Sequence, residues 1–298
     1  MGAVDYWCNI FTEDGIRRTF EEPPEVADVV KWWGLKFTGK STEEFVRYMD
    51  DAGGDQVLIP SAKMASYQTR QLIWDISEAE VRELAEQAPG RIHGLFGINP
   101  MEGMSGVRRL QDTVGDGVFL GAHLHTYGFG IPVNDRKYYP FYAKCVELEI
   151  PVVMQIGHSA ERMPSEMGRP VHVDDIALDF PELTIVAAHT GWPWVEELIA
   201  MAWKHPNVYI ATSGHAPKYW DPKLVQFLNA RNRGIGKVMW GTDYPLIDHA
   251  EGLSQIAEYD LKPEATQSLL HDVAAKLFKL DPAWTPGRAA AAVSAADG

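Results

Sequence analysis

Eight times along these 298 residues a short apolar run, often rich in β-branched residues, ends in glycine or a polar residue and gives way to a helical stretch. The clearest case is Leu183-Thr-Ile-Val-Ala-Ala-His189-Thr-Gly191-Trp-Pro193. Thr184, Ile185 and Val186 favour a strand, Gly191 permits a tight exit, and Pro193 suits the first turn of a helix over 194–203. The other runs fall at 2–9, 56–60, 92–98, 117–125, 151–158, 208–214 and 237–243. Strands that alternate with helices pair in parallel, and eight such units in about 250 residues close into a (β/α)8 TIM barrel of the α/β class. An open, doubly wound sheet fits less well, because no Gly-x-Gly-x-x-Gly follows the first run.

Helix starts are written into the chain as capping boxes, Ser41 with Glu44 and Ser77 with Glu80, and the stops are Gly53-Gly54 and Pro89-Gly90. Residues 10–40 carry Pro23-Pro24 and Trp32-Trp33-Gly34, too apolar for a free linker, and read as a lid-like insertion in one catalytic domain over 1–280. The Ala-rich residues 281–298 show no apolar period and read as a C-terminal tail.

A formal net charge of -14 repels phosphate backbones and anionic headgroups, so neither nucleic acid nor membrane is an expected partner. No apolar run approaches a span, and Cys8 and Cys145 lie far apart in a chain too large to need a disulfide. A cytoplasmic protein is expected, with a small-molecule substrate and a Trp-rich lid suited to a homo-oligomer.

Barrel active sites form at the carboxyl ends of the strands, where His123, His125, Gln155, His158, His189 and Asp243 all fall. On the first run, Asp5, Trp7 and Asn9 alternate with Tyr6 and Cys8 and should point the opposite way from them. Leu124 between His123 and His125 belongs under the helices, which turns both histidines inward. Each residue also has a plain reading. Asp243 could be a turn former, His189 a histidine bonded to the next strand, and the tryptophans simple core.

With these residues placed, the chain resembles the amidohydrolase-related family, the branch with aminocarboxymuconate semialdehyde decarboxylase and aromatic-acid decarboxylases. The resemblance runs over about 2–280 and is carried by Gly121-Ala-His-Leu-His125, Ala188-His189-Thr-Gly191 and Lys237-Val-Met-Trp-Gly-Thr-Asp243-Tyr-Pro245. It implies an amidohydrolase-like barrel. Metal-dependent members hold a divalent ion with a His-x-His on strand one, a His on strand five and the Asp on strand eight. The matching positions here are Trp7, Asn9, Gln155 and Asp243, and only the last is a good ligand.

The expectation is therefore an enzyme without a metal or other cofactor, carrying out hydrolysis or non-oxidative decarboxylation of a small carboxylated or aromatic substrate. Asp243 and His189 are the catalytic pair, and Trp7, Asn9, His123, His125, Gln155 and His158 bind substrate. Arg136, Arg162 and Arg169 are available in loops for a substrate carboxylate. Two alternatives stand beside it: a non-catalytic binding barrel that has lost its metal, and an enzyme with a rearranged zinc site built from His123, His125, His189 and Asp243.

Overall fold

The structure, a computed structural model, describes residues 2–280; the expected tail at 281–298 lies outside the described residues. Its strands in chain order are β1 (Ala3–Asp5), β2 (Gly54–Pro60), β3 (Lys63–Ala65), β4 (Leu72–Asp75), β5 (Ile92–Gly97), β6 (Phe119–Leu124), β7 (Val152–Gln155), β8 (Ile185–Ala188), β9 (Val208–Ala211) and β10 (Val238–Met239). Eight of them form one parallel sheet in the order β1-β2-β5-β6-β7-β8-β9-β10, with helical connections between successive members. The sheet curls, and backbone hydrogen bonds join its two edges. Asp243 donates to Trp7 O at 2.9 Å, Asn9 donates to Tyr244 O at 2.9 Å, and Cys8 and Tyr244 form a parallel bridge. The barrel expected from eight strand–helix repeats is the observed fold.

Period two along each strand sorts the core into two populations. Val57, Ile59, Phe96, Leu124 and Met154 pack with the surrounding helices, whereas Val4, Leu58, Leu95, Val153, Val186 and Met239 meet one another inside the curl. Leu124 falls in the first set, as expected of the residue between two inward histidines. The helix Val273–Leu277 and the following Phe278 join the inner cluster, and Phe278 packs against Gly121 of β6.

The Ser41 capping box forms in full and opens the helix Thr42–Ala52, which ends on Gly53 at φ +86°. At Ser77 only one half forms: the hydroxyl accepts from Glu80 N, while the Glu80 carboxylate turns to Arg18. Pro193 precedes rather than begins its helix, which runs Val195–Lys204. The antiparallel pair β3–β4 was not expected; it is held by the buried Lys63, whose ammonium meets Asp75 at 2.6 Å and donates to Ile76 O. Residues 10–40 form two helices, Glu13–Ile16 and Pro24–Trp32, joined by a wider π-type turn over Arg17–Glu21.

Strand alternation fails at one place. β1 stops at Asp5 because its carboxylate accepts from Trp7 N at 3.0 Å, the local side-chain turn that Asp favours. The chain bends at Tyr6, and both Tyr6 and Trp7 enter the inner cluster, so Tyr6 is not turned away from Trp7 as period two predicts. The Asp5 carboxylate also accepts from Thr242 N at 2.9 Å and from Thr242 Oγ1, and lies 2.9 Å from His249 Nε2. Tyr48 donates to Asp248 and contacts His249 from the helix behind. Among the described residues no helix is long and apolar enough to cross a membrane.

Phe278→Ala is expected to lower unfolding free energy by about 3–5 kcal/mol, the range for deleting a fully buried ring, measured by urea denaturation. A loss below about 1 kcal/mol would show that the last helix adds little to the inner core.

Candidate active site

The strand ends meet at a cavity of about 530 Å³. Its floor is polar: Gln155 from the end of β7, His158 and Glu161 from the loop after it, His189 from the end of β8, His215 after β9, and Asp243 after β10. Its walls are aromatic and aliphatic. Phe20, Val26, Val29, Val30 and Trp33 come from the segment between β1 and β2, and Trp74, Tyr127, Trp192, Tyr219 and Leu246 complete the enclosure.

Asp243 and His189 are held in unusual backbone. Their φ angles are +59° and +64°, and Thr190 follows at +58°, a region that residues with a Cβ seldom adopt. Such strain persists where surrounding bonds over-determine it, and it concentrates at functional sites. Here Asp243 N is fixed to Trp7 O, and His189 Nδ1 lies 3.1 Å from Ser213 O and 3.0 Å from Ser213 Oγ, which in turn pairs with the buried Tyr6 hydroxyl. A carbonyl only accepts, so Nδ1 carries the hydrogen and the lone pair is left on Nε2. Gly214 keeps the two side chains close: a Cβ there would lie 2.9 Å from His189 Nδ1 and 3.3 Å from Asp243 Oδ2. Without it, His189 Nδ1 and Asp243 Oδ2 stand 3.9 Å apart.

Burial sets the protonation of this floor. It pushes the Asp243 carboxyl up to about 7, against the opposing hydrogen bond from Asn9 and with help from the charges of Glu161 and Asp5. It also pushes His189 down to about 4 and His215 down to about 3. Burial alone would raise Glu161, but the His125 imidazole facing it and the Ser159 hydroxyl hold it down at about 2. At neutral pH the floor thus carries neutral imidazoles, one firm carboxylate and one carboxyl near its midpoint.

The expected residues divide into two tiers. Trp7, Gln155, His158, His189 and Asp243 line the cavity together. Asn9, His123 and His125 do not; they lie in the layer that supports it. Trp7 Nε1 donates to Asn9 Oδ1 at 3.2 Å, which leaves the amide nitrogen to donate to Asp243 Oδ1 at 2.6 Å and Tyr244 O at 3.0 Å. His123 is fully buried, edge-on to the Trp7 indole with ring centres 4.4 Å apart. His125 Nε2 faces Glu161 at 3.6 Å, ion-pair rather than hydrogen-bond range. Arg162 is exposed on Asp28 and Arg169 pairs with Glu197; neither they nor Arg136 line the cavity.

Three members were not anticipated. His215 follows Ser213-Gly214 at the end of the β9 run, so the strand-end rule that found His189 also reaches it. Ser213 was legible on the same ground. Glu161 sits in an irregular loop with no pattern to single it out.

The family model described as "Amidohydrolase" matches residues 4–280. No curated protein matches the chain. Among solved structures, an uncharacterized TIM-barrel protein from Bordetella bronchiseptica is similar with a TM-score of 0.70 at 26% identity, over 94% of this chain and 99% of that one. The 5-carboxyvanillate decarboxylase of Novosphingobium aromaticivorans, complexed with manganese and 4-hydroxy-3-methoxy-5-nitrobenzoic acid, gives 0.67 at 16% over 93% and 96%. A putative 2-pyrone-4,6-dicarboxylic acid hydrolase of Pseudomonas putida gives 0.63 at 16% over 94% and 98%.

These neighbours correct one expectation. A site free of any cofactor does not follow from the fold: manganese is bound in the Novosphingobium enzyme and in a dihydroxybenzoic acid decarboxylase from Polaromonas, which points to a divalent metal. The side chains here do not fit an ion in the place the resemblance implies. Trp7 offers no lone pair, and Asn9 turns a donor, not an acceptor, onto Asp243. Among the described residues no three His, Cys, Asp or Glu side chains gather to hold a metal ion, yet the manganese in these neighbours supports the alternative of an enzyme with a metal site better than the metal-free reading.

The raised Asp243 carboxyl has a consequence for stability. Between its ordinary value of about 3.9 and its folded value, the native state holds a proton that the unfolded chain has released, so stability falls as pH rises across that interval. Asp243→Asn is expected to be more stable than the parent above about pH 7, by on the order of 1–4 kcal/mol, with the difference closing near pH 4. Urea unfolding across pH measures it. An Asn variant with no gain at the alkaline end would mean that the carboxyl ionises at its ordinary value.

Proposed function

The chain belongs to the amidohydrolase family, and on that premise we propose that it is an enzyme whose chemical step takes place at Asp243 and His189, cleaving a small aromatic substrate by hydrolysis or by non-oxidative carbon–carbon cleavage. One observation carries the reading: a carboxyl pushed up to about 7 and an imidazole with a free Nε2 share the floor of an aromatic cavity, each in strained backbone at a strand end.

A group titrating near working pH is suited to proton transfer in either direction. In hydrolysis, the Asp243 carboxylate takes a proton from water as the water oxygen bonds to the substrate's carbonyl carbon, then returns it to the leaving group. In decarboxylation, protonated Asp243 gives its proton to the ring carbon as carbon dioxide departs. Gln155, with one acceptor and two donors, and neutral His158 and His215 orient the substrate's oxygen. Asn9 and Trp7 set the direction and acidity of Asp243, and Ser213 sets the tautomer of His189. The helix Pro24–Trp32 covers the cavity as a lid and excludes water during the step. The decarboxylase and hydrolase names of the structural neighbours support the two reaction types, and the manganese in two of them makes a divalent metal the first addition to the assay.

Asp243→Asn is expected to abolish turnover while ligand binding changes less than about tenfold, because the amide keeps the shape but cannot take a proton. Turnover retained in that variant, with or without manganese, removes Asp243 from the mechanism. A parent protein that binds ligand and turns nothing over is instead a binding barrel. For the hydrolytic step, where the carboxylate is the active form, kcat/KM is expected to fall as pH drops through about 7. Asn9→Ala, which removes a bond that favours the carboxylate, should move that limb to higher pH. An unmoved limb would assign it to another group.

A further inference from the structure

Size and wall chemistry narrow what the cavity takes. Its volume is about 530 Å³. A single substituted ring of about ten non-hydrogen atoms, packed at the density of a protein interior, fills on the order of 200 Å³. A divalent ion with its bound waters would take on the order of 100 Å³ more at the floor, counting about 30 Å³ for each water. Together they leave room for a second ring on the side away from Asp243.

The lid does not sink to close that room. Trp74 Nε1 donates to Thr19 O at 2.8 Å, Arg162 N donates to Glu25 O at 3.2 Å, the Arg162 guanidinium meets Asp28 at 2.6 Å, and Ser66 donates to Glu25. Phe20 and Val26 are already buried in one cluster with Trp74 and Tyr127, and pressing them deeper would overpack it. These contacts at the start of the lid set its height above the floor.

The upper wall is made of rings that still face water. Trp33, Trp192 and Tyr219 line the cavity yet are 47%, 46% and 71% exposed, so they form its rim. Trp192 is fixed there: His158 N donates to its carbonyl at 2.7 Å, and its ring stands edge-on to the His158 imidazole with centres 4.7 Å apart. A one-ring ligand with its reacting carbon at Asp243 and His189 leaves this rim wet. Covering it removes apolar surface from water, and a flat ring adds offset or edge-on contacts that a flexible alkyl chain does not make.

Resting on the reading of this cavity as the substrate site, we infer that the substrate class is a two-ring aromatic compound of the biaryl type. One ring carries the reacting group to the floor, and the second lies between Trp33, Trp192 and Tyr219. The second ring takes no part in bond breaking; its burial holds the first in place. Neither the charge of the reacting group nor a metal at the floor alters the rim that selects it.

Calorimetric binding to the full-length protein, with and without manganese, tests the class apart from turnover. The probes are phenol, 4-phenylphenol and 4-hexylphenol, which carry neither a carboxyl nor an ester and so undergo neither proposed reaction. 4-Phenylphenol is expected to bind at least about tenfold more tightly than phenol, and more tightly than the flexible 4-hexylphenol. Trp33→Ala should lower its affinity by about fivefold or more and leave phenol within about twofold. Trp203→Ala, which removes an exposed tryptophan that does not line the cavity, should change neither. Should Trp33→Ala fail to fold, Tyr219→Ala supplies the same comparison. Phenol or 4-hexylphenol binding as tightly as 4-phenylphenol, no binding by any probe, or an equal loss for phenol and 4-phenylphenol in the rim variant overturns the inference. Two-ring selectivity without turnover of any compound leaves the ligand class standing and removes the enzymatic reading. Turnover confined to single-ring acids or esters does the reverse.

Discussion

One buried carboxylate ties the ends of the barrel together. Asp5, on the first edge strand, accepts hydrogen bonds from Trp7 N and from both the backbone and the hydroxyl of Thr242 beside the last, and it lies against His249. Bonds to a charged group in a low dielectric are stronger than neutral ones, and leaving such a group short of partners is more costly than leaving a neutral one. That requirement brings residues 237 positions apart into one turn. The same turn ends β1, bends the chain at Tyr6, and delivers Trp7, Asn9 and Asp243 to a shared seam.

The seam explains why the catalytic candidates are arranged as they are. Indole, amide and carboxyl form a directional series in which the Trp7 N–H fixes the Asn9 oxygen, so the Asn9 nitrogen has nowhere to point except at Asp243 and Tyr244 O. Around the barrel, Tyr6 and Ser213 do the corresponding work for His189. The cavity above then gains its character from what is missing as much as from what lines it. With no cationic side chain among its described lining residues, the carboxyl at Asp243 is raised by burial and left near its midpoint instead of being locked as an ion.

Much of this is legible in the sequence. The alternation of apolar runs and helices fixes a parallel barrel because each strand must bury both faces, and the strand-end position of His189, Gln155 and Asp243 follows directly. Leu124 between two histidines predicted their inward turn, and the structure has it. Less visible was depth. His123 and His125 point inward yet sit beneath the floor, because the Trp7 ring occupies the space above His123, and alternation reports a side and not a height. The hairpin β3–β4 and Glu161 escaped notice since their partners, Asp75 for Lys63 and His125 for Glu161, are not marked by any local period.

Sequence alone determined the architecture, the parallel sheet, the boundaries of most helices and the identity of the residues at the strand ends, because those depend on local periodicity and on capping chemistry within a few residues. Tertiary structure decided which of those residues touch, which are exposed to the cavity, and how each is protonated. Protonation and contact depend on burial and on partners more than 200 residues away in the chain, such as Asn9 for Asp243 and Tyr6 for Ser213, and no local pattern encodes a distance between the two ends of a closed sheet.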